Sequence, residues 1–135
     1  MKIVVIGRGA MGTLWYYHLH NDHNVSCKTA KLDESSASSV FEEKIAFTNY
    51  PGESEQLVLT HTLRSDLEQA ELIIVCVKSY QVASALSDIS NDINNKCAII
   101  LNHNGIGTLT ELPHQIDGSL PILALLTTHG CFRVN

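Results

Sequence analysis

The chain has 135 residues, 44% hydrophobic and 17% charged, with a formal net charge of −5. That is enough for one folded domain burying about two thirds of its unfolded surface, and too apolar for a disordered chain. It excludes a global basic field for nucleic acid or an anionic membrane, and apolar runs of about six residues fall short of the ~20 that span a bilayer.

The chain opens with "MKIVVIGRGAMG". The apolar stretch turns into glycines before an h-region forms, which argues against a signal peptide. Ile3 to Ile6 reads as a strand, and a helix pattern runs from Ala10 to His20 with Met11, Leu14, Trp15 and Leu19 apolar. Between them stands Gly7-x-Gly9-x-x-Gly12. Gly7 permits the tight turn, Gly9 lets backbone approach a pyrophosphate, and Gly12 lets helix and strand pack closely. The helix N-terminus then offers free N–H groups to phosphate, so the strand–turn–helix context points to dinucleotide binding. Arg8, between the glycines, either approaches the cofactor or faces solvent. Trp15, Tyr16 and Tyr17 are expected to pack the helix. His18, His20 and His23 read as solvated helix-end residues, since 18 and 20 face apart on a helix, and no metal site is expected.

Val25 to Ala30 reads as a second strand. A cofactor lacking a 2′-phosphate prefers a carboxylate at its end; this chain has Lys28 and Lys31 there, which favours NADP over NAD, unless the lysines are merely solvated or Asp33 or Glu34 folds back. A polar, serine-rich loop follows. "VFEEKIAFTNYPGESEQLVLTHT" alternates about a Pro51-Gly52 turn and predicts a small hairpin and another strand. Further apolar runs, Leu72 to Val77, Cys97 to Leu101 and Ile122 to Leu126, lack period-two alternation, so both faces of each should be covered. "SYQVASALSDISNDI" sets Val82, Leu86, Ile89 and Ile93 on one helical stripe. Strand and helix in alternation predict an α/β, doubly wound, mostly parallel sheet: a Rossmann-type NAD(P)-binding domain over residues 1–135. The closing "CFRVN" looks like the opening of another strand, which suggests a fragment. Cys27, Cys76, Cys97 and Cys131 show no Cys-x-x-Cys spacing and read as reduced thiols of a cytoplasmic protein.

In such sheets ligands bind beyond the carboxyl ends of the strands. The apolar runs end in the glycine turn, in Lys78-Ser79-Tyr80, in Asn102-His103-Asn104-Gly105 and in Thr127-Thr128-His129-Gly130. These tips should converge on one edge as the floor of a cleft. His103 and His129 lie near it, as able to orient backbone as to do chemistry.

"IGRGAMG", "LIIVCVKSYQV", "LNHNGIGTLTEL" and "LLTTHG", in this order, make the chain similar to ketopantoate reductase (2-dehydropantoate 2-reductase). The resemblance covers essentially the whole chain and implies NADPH-dependent reduction of 2-dehydropantoate to pantoate, towards pantothenate and coenzyme A. It implies that Lys78 lies beside cofactor and substrate, and that Asn104 hydrogen-bonds substrate and holds the nicotinamide end. Thr128, His129 and Gly130 would run beneath the nicotinamide. Cofactor contacts are expected from Gly7, Arg8, Gly9, Ala10, Met11, Gly12, Lys31, Lys78, Asn104 and Gly130. Two departures stand out. The family usually has an arginine at the end of the second strand, where this chain has Ala30 and then Lys31. The family's second, helical domain, with the lysine that acts as general acid, is absent. The expected partner is a small 2-keto acid, with no nucleic acid or membrane, and homodimerisation stays open. The alternatives are a non-catalytic NAD(P)-sensing module, or the cofactor domain of a reductase for another 2-keto acid. The 135-residue chain by itself should bind cofactor but reduce substrate poorly or not at all.

Overall fold

Strand β1 (Lys2–Ile6) lies near the middle of a five-stranded sheet, and its interior residues Ile3 to Ile6 are all buried. The computed structural model describes residues 1–29, 42–103, 116, 118, 120–128 and 130–134. Among them follow helix α1 (Ala10–Leu19) and strands β2 (Asn24–Lys28), β3 (Glu42–Thr48) and β4 (Ser54–Thr60). The chain continues through α2 (Arg64–Glu68), β5 (Leu72–Val75), α3 (Val82–Ser87), β6 (Ala98–Asn102) and β7 (Ile122–Leu125). The large sheet has the order β2-β1-β5-β6-β7, every pair parallel, while β3 and β4 form a separate antiparallel hairpin. From β1 the chain first builds outward to β2 and later, from β5, in the opposite direction. Strand order therefore reverses at the β1/β5 boundary, where a doubly wound sheet opens its crevice.

Both faces of the sheet centre are covered, as the unbroken apolar runs require. On one face Val4, Ile6, Ile73, Val75, Ile99 and Leu101 meet Leu67 of α2 and Val82, Ala85 and Leu86 of α3. On the other, Ile3, Val5, Val25, Cys27 and Ile74 meet Tyr16 of α1 and Phe47, Leu57 and Leu59 of the hairpin. Tyr16 fixes the hairpin to α1: its hydroxyl accepts the Thr60 N–H at 3.1 Å. Tyr17 stacks on Phe47 with ring centroids 4.1 Å apart.

Four expectations change. The stripe Val82, Leu86, Ile89 is buried and Ile93 packs against it, but α3 ends at Ser87. Beyond it, Ser, Asp and Asn compete for backbone hydrogen bonds, and Ser90 Oγ donates to the Ser87 carbonyl at 2.9 Å. Strand β7 is not covered on both faces: it lies at the edge of the sheet, and Leu123 is 59% exposed. Residues 130–134 carry no regular structure, and Phe132 and Val134 are exposed. A strand forms only where a ladder partner exists, and none is present among the described residues. Finally, Lys28 is neither an ammonium open to a 2′-phosphate nor a solvated loop residue; it closes β2 and is only 3% exposed.

Candidate functional site

Parallel pairing puts the carboxyl ends of all five strands on one edge, so the polar tips do converge there. The first tip is the glycine turn. Gly7 has φ +99°, a region that L side chains rarely adopt, and a Cβ there would meet the Cys76 carbonyl oxygen at 2.8 Å. Its N–H donates to the Lys28 carbonyl at 2.7 Å, and the Cys76 N–H donates to the Ile6 carbonyl at 2.7 Å. The turn is thus tied to the ends of both flanking strands. A Cβ on Gly12 would overlap the Gly7 carbonyl oxygen, so only glycine lets α1 seat this close. A Cβ on Gly9 would meet nothing within 4 Å. Gly9 also caps α1 without a side chain, and no acidic residue lies in the first turn formed by Ala10, Met11 and Gly12. The N–H groups at this end of the helix therefore meet no competing carboxylate from the helix's own first turn.

Arg8 neither points freely into the site nor faces solvent alone. Its guanidinium pairs with the Glu43 carboxylate, and His61 Nε2 lies 3.6 Å from the same carboxylate oxygen. Glu43 opens the hairpin, and His61, just after β4, bridges to Cys27 of β2. Sequence alone did not single out Glu43 or His61. "FEEKIAF" reads as an ordinary solvated face, and only the folded hairpin brings Glu43 to Arg8.

At the tip of β5, Lys78 is exposed, but its backbone is pinned. Its N–H donates to Gln81 Oε1 at 3.2 Å and its carbonyl accepts the Gln81 N–H at 2.8 Å. At the tip of β6, Asn102 is 4% exposed. Its Nδ2 donates weakly to Cys76 Sγ at 3.7 Å, while Oδ1 and both ring nitrogens of His103 are buried without a hydrogen-bond partner among the described residues. A buried polar group without a partner is uncommon and marks a position where a ligand or water completes the bonding. Thr127 and Thr128 follow β7, and Gly130 is exposed. A pocket of about 190 Å³ runs between α1 and this tip, lined by Met11, Leu14, Trp15, His18 and Thr127. Trp15 Nε1 is buried there without a partner. Lys31, Asn104 and His129 lie outside the described residues.

Burial dominates the titrations at this edge. It pushes the Cys27 thiol up to about 12, aided by Cys76 and Glu43 and opposed by Arg8. It pushes Cys76 up to about 11, with the Asn102 amide pulling the other way. The Lys28 ammonium is pushed below its ordinary value, again by burial first; its Nζ donates to the Thr29 carbonyl at 3.3 Å. All four cysteines are free.

The family model described as "Ketopantoate reductase PanE/ApbA" matches residues 3–135. A 2-dehydropantoate 2-reductase from Yersinia pestis is 40% identical over 114 residues, which cover 84% of this chain and 35% of the relative. The solved 2-dehydropantoate 2-reductase from Methylococcus capsulatus superimposes with a TM-score of 0.68 at 19% identity, covering 98% of this chain and 43% of that one. A D-mandelate dehydrogenase solved with NADH and anilino(oxo)acetate gives a TM-score of 0.64 at 25% identity, over 92% of this chain and 40% of that one. The chain spans about two fifths of the length of the curated relatives it matches. With a family model that accounts for nearly every residue, and with a sheet that reverses at a glycine turn, the chain belongs to the ketopantoate reductase family.

Proposed function

We propose that residues 1–135 are the dinucleotide-binding domain of a cytoplasmic 2-dehydropantoate 2-reductase that uses NADPH to make pantoate, towards pantothenate and coenzyme A. The observation that carries this is the glycine turn at the β1/β5 reversal: Gly7 and Gly12 leave no room for a side chain, and Gly9 leaves its approach open. NADPH, when bound, supplies the hydride that goes to the keto carbon of the substrate. The backbone from Gly7 to Gly12, with the N–H groups of Ala10 and Met11, holds the pyrophosphate, with Arg8 and Lys31 as the basic residues that contact the cofactor. Lys78, pinned by its backbone and exposed at its ammonium, meets an anionic group of substrate or cofactor. Asn104, a neutral amide able to donate and accept, orients substrate against the nicotinamide, and the backbone at Gly130 passes beneath that ring. Asn102 Oδ1 and His103 offer partnerless buried atoms that suit a carboxamide, which carries both a donor and an acceptor. The proton that must reach the ketone oxygen is assigned to a general acid in the part of the relatives that this chain does not span.

Titration with NADPH and NADH, followed by Trp15 fluorescence and by thermal shift, tests the proposal. Binding of NADPH in preference to NADH is expected. Absent or equal response to the two cofactors would count against it.

A further inference from the structure

We infer that Arg8 is the residue that selects a 2′-phosphorylated dinucleotide, and that Glu43 is a built-in competitor setting how strong that selection is; the inference rests on the dinucleotide reading above. Three elements bring the pair to its place. The glycine turn carries Arg8, and the Gly7 N–H fastens that turn to the last carbonyl of β2 at 2.7 Å. The hairpin carries Glu43. His61 meets the same carboxylate and bridges to Cys27, one residue from the end of β2. The Gly7 tie to Lys28 and the His61 bridge to Cys27 together place the pair at the carboxyl end of that strand. In a doubly wound dinucleotide site the adenosine ribose rests at this end of the second strand. The side chains of Arg8 and Glu43 are 41% and 28% exposed, so a ligand can reach them.

The chemistry of exchange gives the selection. A guanidinium presents a planar fork of donors to carboxylate or phosphate. Glu43 offers it a single negative charge. A phosphomonoester carries close to two at neutral pH, spread over three acceptor oxygens, so it displaces the carboxylate and takes the fork. A ribose hydroxyl is neutral and leaves the ion pair closed. Glu43 therefore weakens phosphate binding by holding Arg8, and it holds Arg8 at the mouth of the site while the site is empty. Because the pair is partly exposed, its own stability is small, which leaves it displaceable.

The test is a set of titrations of the chain with NADPH and NADH, with adenosine 2′,5′-bisphosphate and AMP as probes of the adenosine end alone. Arg8→Met should weaken NADPH and the bisphosphate by about tenfold or more, with NADH and AMP changed by less than about twofold. Glu43→Gln should tighten NADPH by up to about fivefold and leave NADH unchanged. The two variants are predicted to move affinity in opposite directions, so a general folding defect cannot imitate the pattern, and thermal melts check each fold. Equal weakening of both cofactors by Arg8→Met, weaker NADPH binding in Glu43→Gln, or a preference that collapses in Lys31→Met but survives Arg8→Met would each overturn the inference. If the unaltered chain binds neither cofactor, or Gly9→Val binds both as well as it does, the dinucleotide site itself is wrong and this selection falls with it.

Discussion

The two halves of the sheet's carboxyl edge are finished to different degrees. On the β1–β2 side the polar groups are partnered: the Gly7 N–H reaches Lys28, the Lys28 amine reaches Thr29, and Arg8 is paired with Glu43. On the β5–β6 side Asn102 Oδ1 and both nitrogens of His103 are buried with no partner among the described residues. Each such orphan costs about 1–3 kcal/mol against a bonded one. The first half is therefore a preformed cradle, while the second keeps unsatisfied bonding capacity of the kind that a ligand rewards. Lys78 fits the same division, with its backbone fixed by Gln81 and its ammonium exposed.

If the cradle is preformed, its glycines should separate folding from binding. Gly12→Ala drives a methyl into the Gly7 carbonyl, and the expected loss is about 3 kcal/mol or more. In calorimetry this lowers the melting temperature by roughly 10 °C. Gly9→Val points a side chain into open space, so stability should stay within about 0.5 kcal/mol. Dinucleotide affinity should nevertheless fall by about a hundredfold or more, because the pyrophosphate can no longer approach the backbone. A Gly9→Val protein that melts early but still binds would show the cradle to be structural only.

Alkaline pH probes how deeply each half is buried. The thiols of Cys27, Cys76 and Cys97 have folded pKa values raised from 9.0 to about 12, 11 and 11, chiefly by burial. In the window above 9 the unfolded chain holds fewer protons than the folded one, so stability present below pH 9 is lost as pH rises towards 11–12. Lys28 acts in the opposite sense. Its folded value lies below 10.5, so the unfolded state is the more protonated one and stability rises with pH up to about that value. Three thiols outweigh one amine, so the melting temperature should fall as pH rises from 8.5 to 10.5. Lys28→Met removes the opposing contribution, so its decline should be steeper. An unchanged decline in that variant would mean that the amine reaches water.

Much of this architecture was legible in the chain before it was folded. Ile3 to Ile6, Leu72 to Val77 and Cys97 to Leu101 needed cover on both faces, and the parallel sheet followed from that. The glycine spacing at 7, 9 and 12 announced the cradle because each position has its own steric reason. What stayed hidden depends on contacts between distant segments. Glu43 sits among charges that look like any solvated strand face, and becomes part of the site only when the hairpin folds over β2. Lys28 read as a partner for a 2′-phosphate, or else as a solvated charge, until its strand buried it beside Ile6. Asn102 drew less attention than Asn104, since a polar residue at a strand tip looks alike in sequence whether its amide is satisfied or not.

A small effect on the fold, and the sharpest on the contrast between the two halves, should come from Asn102→Leu. The side chains are of similar size, so no large cavity opens. Asn102 gives the free protein little, since its amide nitrogen reaches only a thiol at 3.7 Å and its oxygen reaches nothing. Replacing such a group by an apolar one of the same shape is close to neutral, and stability should stay level or rise by up to about 1 kcal/mol. Cys76 would lose the amide that now lowers its pKa, so its thiol should titrate higher still. Binding is where the loss appears: if the amide completes its bonds on the cofactor, NADPH affinity drops by about tenfold. Thermal melts and fluorescence titration on the same sample read both quantities. A variant that loses about 2 kcal/mol while binding as before would make Asn102 a structural partner, and the β5–β6 half would then be as complete as the cradle beside it.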